Sequence, residues 1–260
     1  MKFVTQNLSC GYNRRSLMED VSVSFETGRA VCILGPNGVG KSTFFKTILG
    51  FLKPVSGSIF IDERDIQTIP RKELAKIIGY VPQIHGNPFP YSVRDIVLMG
   101  RASHLRLFAE PGRSDYRRCD EILEKLDILY LKDKLYSEIS GGEQQMTLIA
   151  RALVQEPEFI MMDEPTSNLD YGNQIQVLKR VVELKNSSKG VVMITHSPDQ
   201  AFLCADEAVL FFRDGSVVSG EVRDVLTEEN ISRLYGVEIE IDTGKNRDGA
   251  ASAWCRPGSR

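Results

Sequence analysis

The sequence predicts an α/β fold: a central, mostly parallel sheet with an antiparallel β edge and an inserted helical lobe. Three observations carry this prediction. The runs Ala30 to Leu34, Phe159 to Met162 and Val191 to Ile194 are continuously apolar, as strands covered on both faces are. The first thirty residues alternate instead, as in Val21-Ser22-Val23-Ser24-Phe25, which is the pattern of antiparallel strands with one wet face. Between Gln83 and about Gln155 the apolar spacing is helical.

In chain order, the N-terminal strands lead to the Ala30–Leu34 strand, which ends in Gly35-Pro36-Asn37. The lobe, about residues 84–155, has its best helical stretches at Asp120 to Leu131 and Gln144 to Gln155; the latter puts Met146, Ile149, Ala150 and Leu153 on one stripe. The next two apolar strands end in Asp163-Glu164 and Thr195-His196. Ligands of open α/β sheets sit beyond the carboxyl ends of the strands, so these distant positions are expected to converge. Arg213-Asp214-Gly215 marks a hairpin turn between Ala208 to Phe212 and Ser216 to Val218. One domain is expected over residues 1–242. From Thr243 the chain is small, polar and unpatterned, and residues 243–260 are expected to be disordered.

The composition is that of a folded globular protein: 260 residues, 42% hydrophobic and 26% charged, with a net charge of −3. That balance argues against nucleic acid as a partner, because no basic excess or stripe dominates. Five cysteines, Cys10, Cys32, Cys119, Cys204 and Cys255, form no Cys-x-x-Cys pair, which suits a reducing cytosol. The start lacks the pattern of a signal peptide, and no apolar run approaches the roughly 18 to 20 residues of a spanning helix. Any connection to a membrane is therefore expected to go through a partner.

Gly35-Pro36-Asn37-Gly38-Val39-Gly40-Lys41-Ser42 matches the phosphate-loop pattern G-x-x-x-x-G-K-[ST], placed between an apolar strand and a helical run as that loop requires. Its glycines let backbone N–H groups close on phosphate oxygens at the positive end of the next helix. Lys41 adds a mobile charge, and the Ser42 hydroxyl is a ligand for Mg²⁺. Asp163 is the candidate to hold Mg²⁺ through water, and Glu164 the candidate to orient the attacking water. An Asp-Glu pair after a strand is also a common solvated turn; the phosphate loop tips the balance. His196, at another strand end, is a candidate contact of the γ-phosphate or of that water. His85 and His104 have no comparable setting.

Five segments in order resemble the ATP-binding cassette superfamily: GPNGVGKST at Gly35 to Thr43, VPQ at Val81 to Gln83, ISGGE at Ile139 to Glu143, MMDEPTSNLD at Met161 to Asp170, and ITH at Ile194 to His196. SGGE in front of an amphipathic helix distinguishes that family from other phosphate-loop proteins. The resemblance implies the cassette fold, ATP with Mg²⁺, and a head-to-tail dimer in which Ser140, Gly141, Gly142 and Glu143 of one copy complete the phosphate site of the other. It also implies that Asp170 lies at the dimer seam. Gln83 is implied as a Mg²⁺ ligand that links the attacking water to the membrane partner, and Tyr12 as the ring on which adenine stacks. Tyr12 could also simply fill a strand edge. Ile139, Glu143 and Met146 depart from the commonest pattern of leucine, glutamine and arginine, and Met146 leaves open an ion pair within the lobe.

Pro88 to Phe108, and Asp224 to Ile231 with Tyr235-Gly236-Val237, resemble the cassettes of siderophore, haem and cobalamin importers. This implies two permease subunits, an extracytoplasmic binding protein that selects the cargo, and a place at the cytoplasmic face of the membrane. Both stretches could also be ordinary lobe and C-terminal helices. A soluble ATPase of the same superfamily, or an exporter motor, is the alternative. Arg101, Arg106, Arg113, Arg117 and Arg118 give the lobe a basic bias, which is either a solvated face or a membrane or permease contact.

Overall fold

The computed structural model describes residues 1–13, 15–83, 90–106, 109–245 and 251–258. The chain divides into two units, Met1–Thr68 with Leu178–Arg260, and Ile69–Val177.

In the first unit the alternating N-terminus makes β1 (Lys2–Tyr12), β2 (Arg15–Val21) and β3 (Ser24–Glu26). The fully buried β4 (Ala30–Leu34) feeds α1 (Lys41–Ile48). Next come β5 (Ser56–Ile61) and the short β6 (Arg64–Asp65). β1 is antiparallel to β2, β3 and β5, so the expected antiparallel edge is a sheet of its own.

The second unit opens with α2 (Arg71–Ile77) and β7 (Ile78–Val81). Its helices are α3 (Val93–Leu98), α4 (Arg113–Lys125) and α5 (Gly141–Leu153), and α5 is followed by β8 (Phe159–Asp163). β7 and β8 pair in parallel. This unit thus carries two strands beside its helices. The helix expected over Asp120 to Leu131 stops at Lys125 and starts about two turns earlier, at Arg113, where Asp115 accepts the Gly112 N–H at 3.0 Å and fixes the start. Helix α6 (Tyr171–Asn186) contains the division between the units.

Back in the first unit, β9 (Gly190–Ile194) is buried throughout and α7 (Pro198–Cys204) follows it. The predicted hairpin is β10 (Glu207–Phe211) and β11 (Val217–Glu221). β10, β4 and β9 run parallel, side by side. Burying both faces of these strands is what their unbroken apolar sequence requires, and Phe44 of α1 seals one face edge-on against Phe211, with ring centroids 5.3 Å apart. The chain continues through α8 (Val222–Val225) and α9 (Glu228–Tyr235), then β12 (Ile239–Lys245) and β13 (Ala251–Pro257).

Within the stretch 243–260, expected to be disordered, the described residues 243–245 and 251–257 are strand, and residues 246–250 and 259–260 lie outside the described residues. β12 and β13 pair antiparallel from Ile239↔Pro257 to Lys245↔Ala251, and β13 packs on α7. Backbone pairing does not need an apolar pattern, so composition alone could not reveal this hairpin.

Candidate active site

In the first unit, β4 delivers the phosphate loop. Lys41, 5% exposed, folds its side chain back over the loop and donates from Nζ to the carbonyl oxygens of Gly35 at 2.7 Å and Pro36 at 3.0 Å. This positions the ammonium where the loop curls. Gly40 sits at φ 107° as the N-cap of α1, and a Cβ there would lie 2.6 Å from Met18 Cγ, so glycine is demanded by both backbone and space. The β1–β2 hairpin thus packs on the loop. Leu17 and Met18 of that hairpin, with Asn37, Gly38 and Val39, line an open pocket of about 270 Å³ that β10 and the β10–β11 turn close on the other side. Tyr12 stands on the same hairpin, opposite Arg15, and is 45% exposed. Ser42 is exposed on the first turn of α1, next to buried Thr43.

His196 follows β9 at the start of α7. Thr195 donates its N–H to Ile33 O of β4 at 3.1 Å, tying this turn to the strand that carries the phosphate loop. The Ser197 hydroxyl caps α7 by accepting the Gln200 N–H.

In the second unit, β8 ends in half-buried Asp163, and Glu164 adopts φ 48°, a left-handed conformation that costs a residue with a Cβ about 1 kcal/mol. The turn is held by Ser167, whose N–H and hydroxyl both donate to Glu164 O, at 3.0 and 2.9 Å. Gln83 lies beside it, donating from Nε2 toward Glu164 Oε2 at 3.4 Å and Ser167 Oγ at 3.3 Å. Gln83 and Glu164, eighty-one residues apart in the chain, therefore meet.

Ser140 caps α5. Its N–H and hydroxyl donate to Glu143 Oε2 at 2.8 and 2.7 Å, and the Glu143 N–H returns to Ser140 Oγ. Tyr130 OH donates to Glu143 Oε1 at 2.9 Å. Hydrogen bonds from Ser140, first from its side chain and then its backbone, hold the Glu143 carboxyl below its ordinary range. Glu143 is thus engaged as an ionised cap, and Tyr130 is a partner that sequence reading missed: a lone exposed tyrosine gives no signal. Asp170 caps α6 through Asn173, from N at 2.8 Å and Nδ2 at 2.9 Å. Asn173 in turn lies against Gly142.

Met146 is 5% exposed and fills the core, so the ion pair left open at that position does not form there. Much of the lobe's basic bias is neutralised locally: Arg101 pairs with Asp115 and Glu156, Arg117 with Glu121, and Arg118 with Glu121 and Glu156. His104 bonds Gln155 O at 2.9 Å through Nε2. His85 lies outside the described residues, as do parts of the Pro88 to Phe108 stretch.

In the first unit the loop offers backbone N–H groups and a buried lysine, which fit phosphate, and Ser42 offers a hydroxyl oxygen. In the second unit Gln83 and Asp163 offer amide and carboxylate oxygens, the donor type that a hard cation such as Mg²⁺ prefers. Among the described residues no cluster of histidine, cysteine and carboxylates could hold a softer metal.

A family model described as ABC transporter matches residues 18–167. The chain is 37% identical over 232 residues to the molybdate import ATP-binding protein of Haemophilus influenzae, covering 88% of this chain and 86% of that one. It is 35% identical over 242 residues to a protein of Helicobacter pylori named an iron chelatin transport ATP-binding protein, covering 92% and 95%. Among solved structures, a chain of a metal-chelate type ABC transporter in an inward-facing conformation superposes with a TM-score of 0.88 at 32% identity, covering 99% of this chain and 98% of that one.

Proposed function

The chain belongs to the ABC transporter family as an ATP-binding subunit, and from that premise we propose that it hydrolyses ATP to drive an importer of metal complexes such as a ferric siderophore, haem or cobalamin. The observation that carries the chemistry is Lys41, buried and held by its Nζ on two carbonyls of its own phosphate loop. It is a charge ready to transfer to phosphate oxygens when a nucleotide enters.

On this reading the loop N–H groups from Gly35 to Thr43 and Lys41 bind the β- and γ-phosphates, and adenine stacks on Tyr12. Ser42, Asp163 and Gln83 would hold Mg²⁺, which when bound would neutralise charge on the phosphate oxygens. Glu164 orients a water and accepts its proton as the water oxygen attacks the γ-phosphorus; the bond to the β–γ bridging oxygen breaks and leaves ADP and phosphate. His196 contacts the γ-phosphate or this water.

Ser140, Gly141 and Gly142 of a second copy complete the site. The exposed Ser140 at a capped helix start supports that role, with Asp170 at the seam. Two permease subunits and an extracytoplasmic binding protein would carry and select the cargo, with this chain peripheral at the cytoplasmic face. Likeness to the iron chelatin and metal-chelate proteins supports that cargo class.

The test is a pair of variants. Lys41→Ala is expected to abolish ATP turnover by at least about a hundredfold. Glu164→Gln is expected to retain ATP binding and accumulate as an ATP-bound dimer on gel filtration. Undiminished turnover in both variants would overturn the mechanism.

A further inference from the structure

The segment that carries His196 is anchored from the C-terminal end of the chain as well as from the sheet. On the sheet side the Thr195 N–H donates to Ile33 O, and the Thr195 hydroxyl bonds Gln200 Oε1 at 2.6 Å. On the other side Tyr235, the last residue of α9, donates its hydroxyl to the backbone carbonyl of His196 at 2.9 Å, across thirty-nine residues of sequence. The Cys255 N–H of β13 donates to Asp199 Oδ1 at 2.7 Å, in the first turn of α7. β12 is tied to α9 in the same way, by Ile239 N–H to Ser232 Oγ at 3.0 Å and Ile241 N–H to Glu228 Oε1 at 2.8 Å. Helix α9 and the β12–β13 hairpin therefore hold both the carbonyl of His196 and the first turn of the helix after it.

A hydrogen bond to that carbonyl fixes the peptide joining His196 to Ser197. The Thr195 N–H on β4 fixes the peptide before Thr195, so the two bonds bracket the Thr195–His196 pair from either side. They narrow the range open to the His196 backbone and to the Cα–Cβ bond that carries the imidazole. A catalytic contact misplaced by about 1 Å loses roughly two orders of magnitude in rate, so a bond that restrains this peptide acts on the chemistry without touching it.

We propose that Tyr235 is a positioning residue for His196, and that the C-terminal hairpin braces the same turn through Asp199. The inference rests on the reading of His196 as a contact of the γ-phosphate or the attacking water, and extends it to α9 and the tail. It also gives that tail a use in catalysis.

The test uses the full chain labelled with ¹³C-histidine. The sequence has three histidines, so the His196 signal is assigned by its loss in His196→Ala. In Tyr235→Phe, which removes one hydroxyl and keeps the ring, the His196 signal is expected to move or broaden, while that of His104 on Gln155 O stays in place. In the complex that copurifies with the chain, kcat for ATP is expected to fall about tenfold with KM within about twofold, and with no further loss when Tyr235→Phe is combined with His196→Ala. Asp199→Ala, which frees β13 from α7 and leaves Tyr235 intact, is expected to shift the same signal.

An unmoved His196 signal in both variants would overturn the proposal. So would an unchanged kcat in Tyr235→Phe beside an inactive His196→Ala. Wild-type turnover in His196→Ala would overturn the catalytic reading of His196 instead, and the histidine spectra would still decide whether Tyr235 positions it.

Discussion

At Gly142, the third residue of the ISGGE segment's Ser-Gly-Gly run, an added Cβ would lie 2.3 Å from Asn173 Cγ and 2.4 Å from its Oδ1. Asn173 is the residue through which Asp170 caps α6, so the helix start bearing Ser140 and the turn bearing Asp170 are packed against each other at this glycine. Gly142→Ala is expected to destabilise the chain by about 1–3 kcal/mol, the usual cost of overpacking, as measured by urea unfolding. Because the obstacle is a side chain and not backbone, adding Asn173→Ala should recover part of that loss. Equal instability in the single and double variants would mean the helix start is strained for another reason.

At the scale of elements, α4 shows how the lobe uses its charges. Asp115 lies at the start of that helix, accepting the Gly112 N–H through Oδ2 and Arg101 Nε at 2.9 Å through Oδ1, and both side chains of this pair are nearly covered, 13% and 11% exposed. The Gly112 hydrogen bond first, and Arg101 second, hold the Asp115 carboxyl below its ordinary range. A depressed carboxyl stabilises the fold fully above its unfolded value, near 4, and ceases to do so as pH falls through the folded value. Asp115→Asn keeps a cap acceptor and loses the charge. It is expected to cost about 1–2 kcal/mol at pH 7, and the gap from wild type should close as pH falls through the depressed folded value, read from chemical denaturation across pH. A gap that stays constant from pH 7 to pH 2 would show that the ionised form contributes nothing.

At the scale of the whole molecule, no helix among the described residues is long and apolar enough to cross a membrane. The tagged full chain, solubilised gently from its host's membranes, is expected to bring down polytopic proteins, and deleting its gene should abolish uptake of an iron chelate while leaving molybdate uptake intact. The reverse uptake result would reassign the cargo to the class handled by the Haemophilus relative. The sequence by itself determined the elements whose signals are local: β4 matches its apolar run from Ala30 to Leu34, the phosphate loop follows from its glycines and Lys41, and the stripe of Met146, Ile149, Ala150 and Leu153 falls within α5. Tertiary structure alone decided which distant groups meet. The contact of Gln83 with Glu164, the closeness of Asn173 to Gly142 and the bond from Tyr235 to His196 link residues far apart in the chain, and no periodicity encodes such pairings. The β12–β13 hairpin was hidden for a related reason: its order comes from backbone hydrogen bonds and from α7 beside it, which exist only once the rest of the chain has folded.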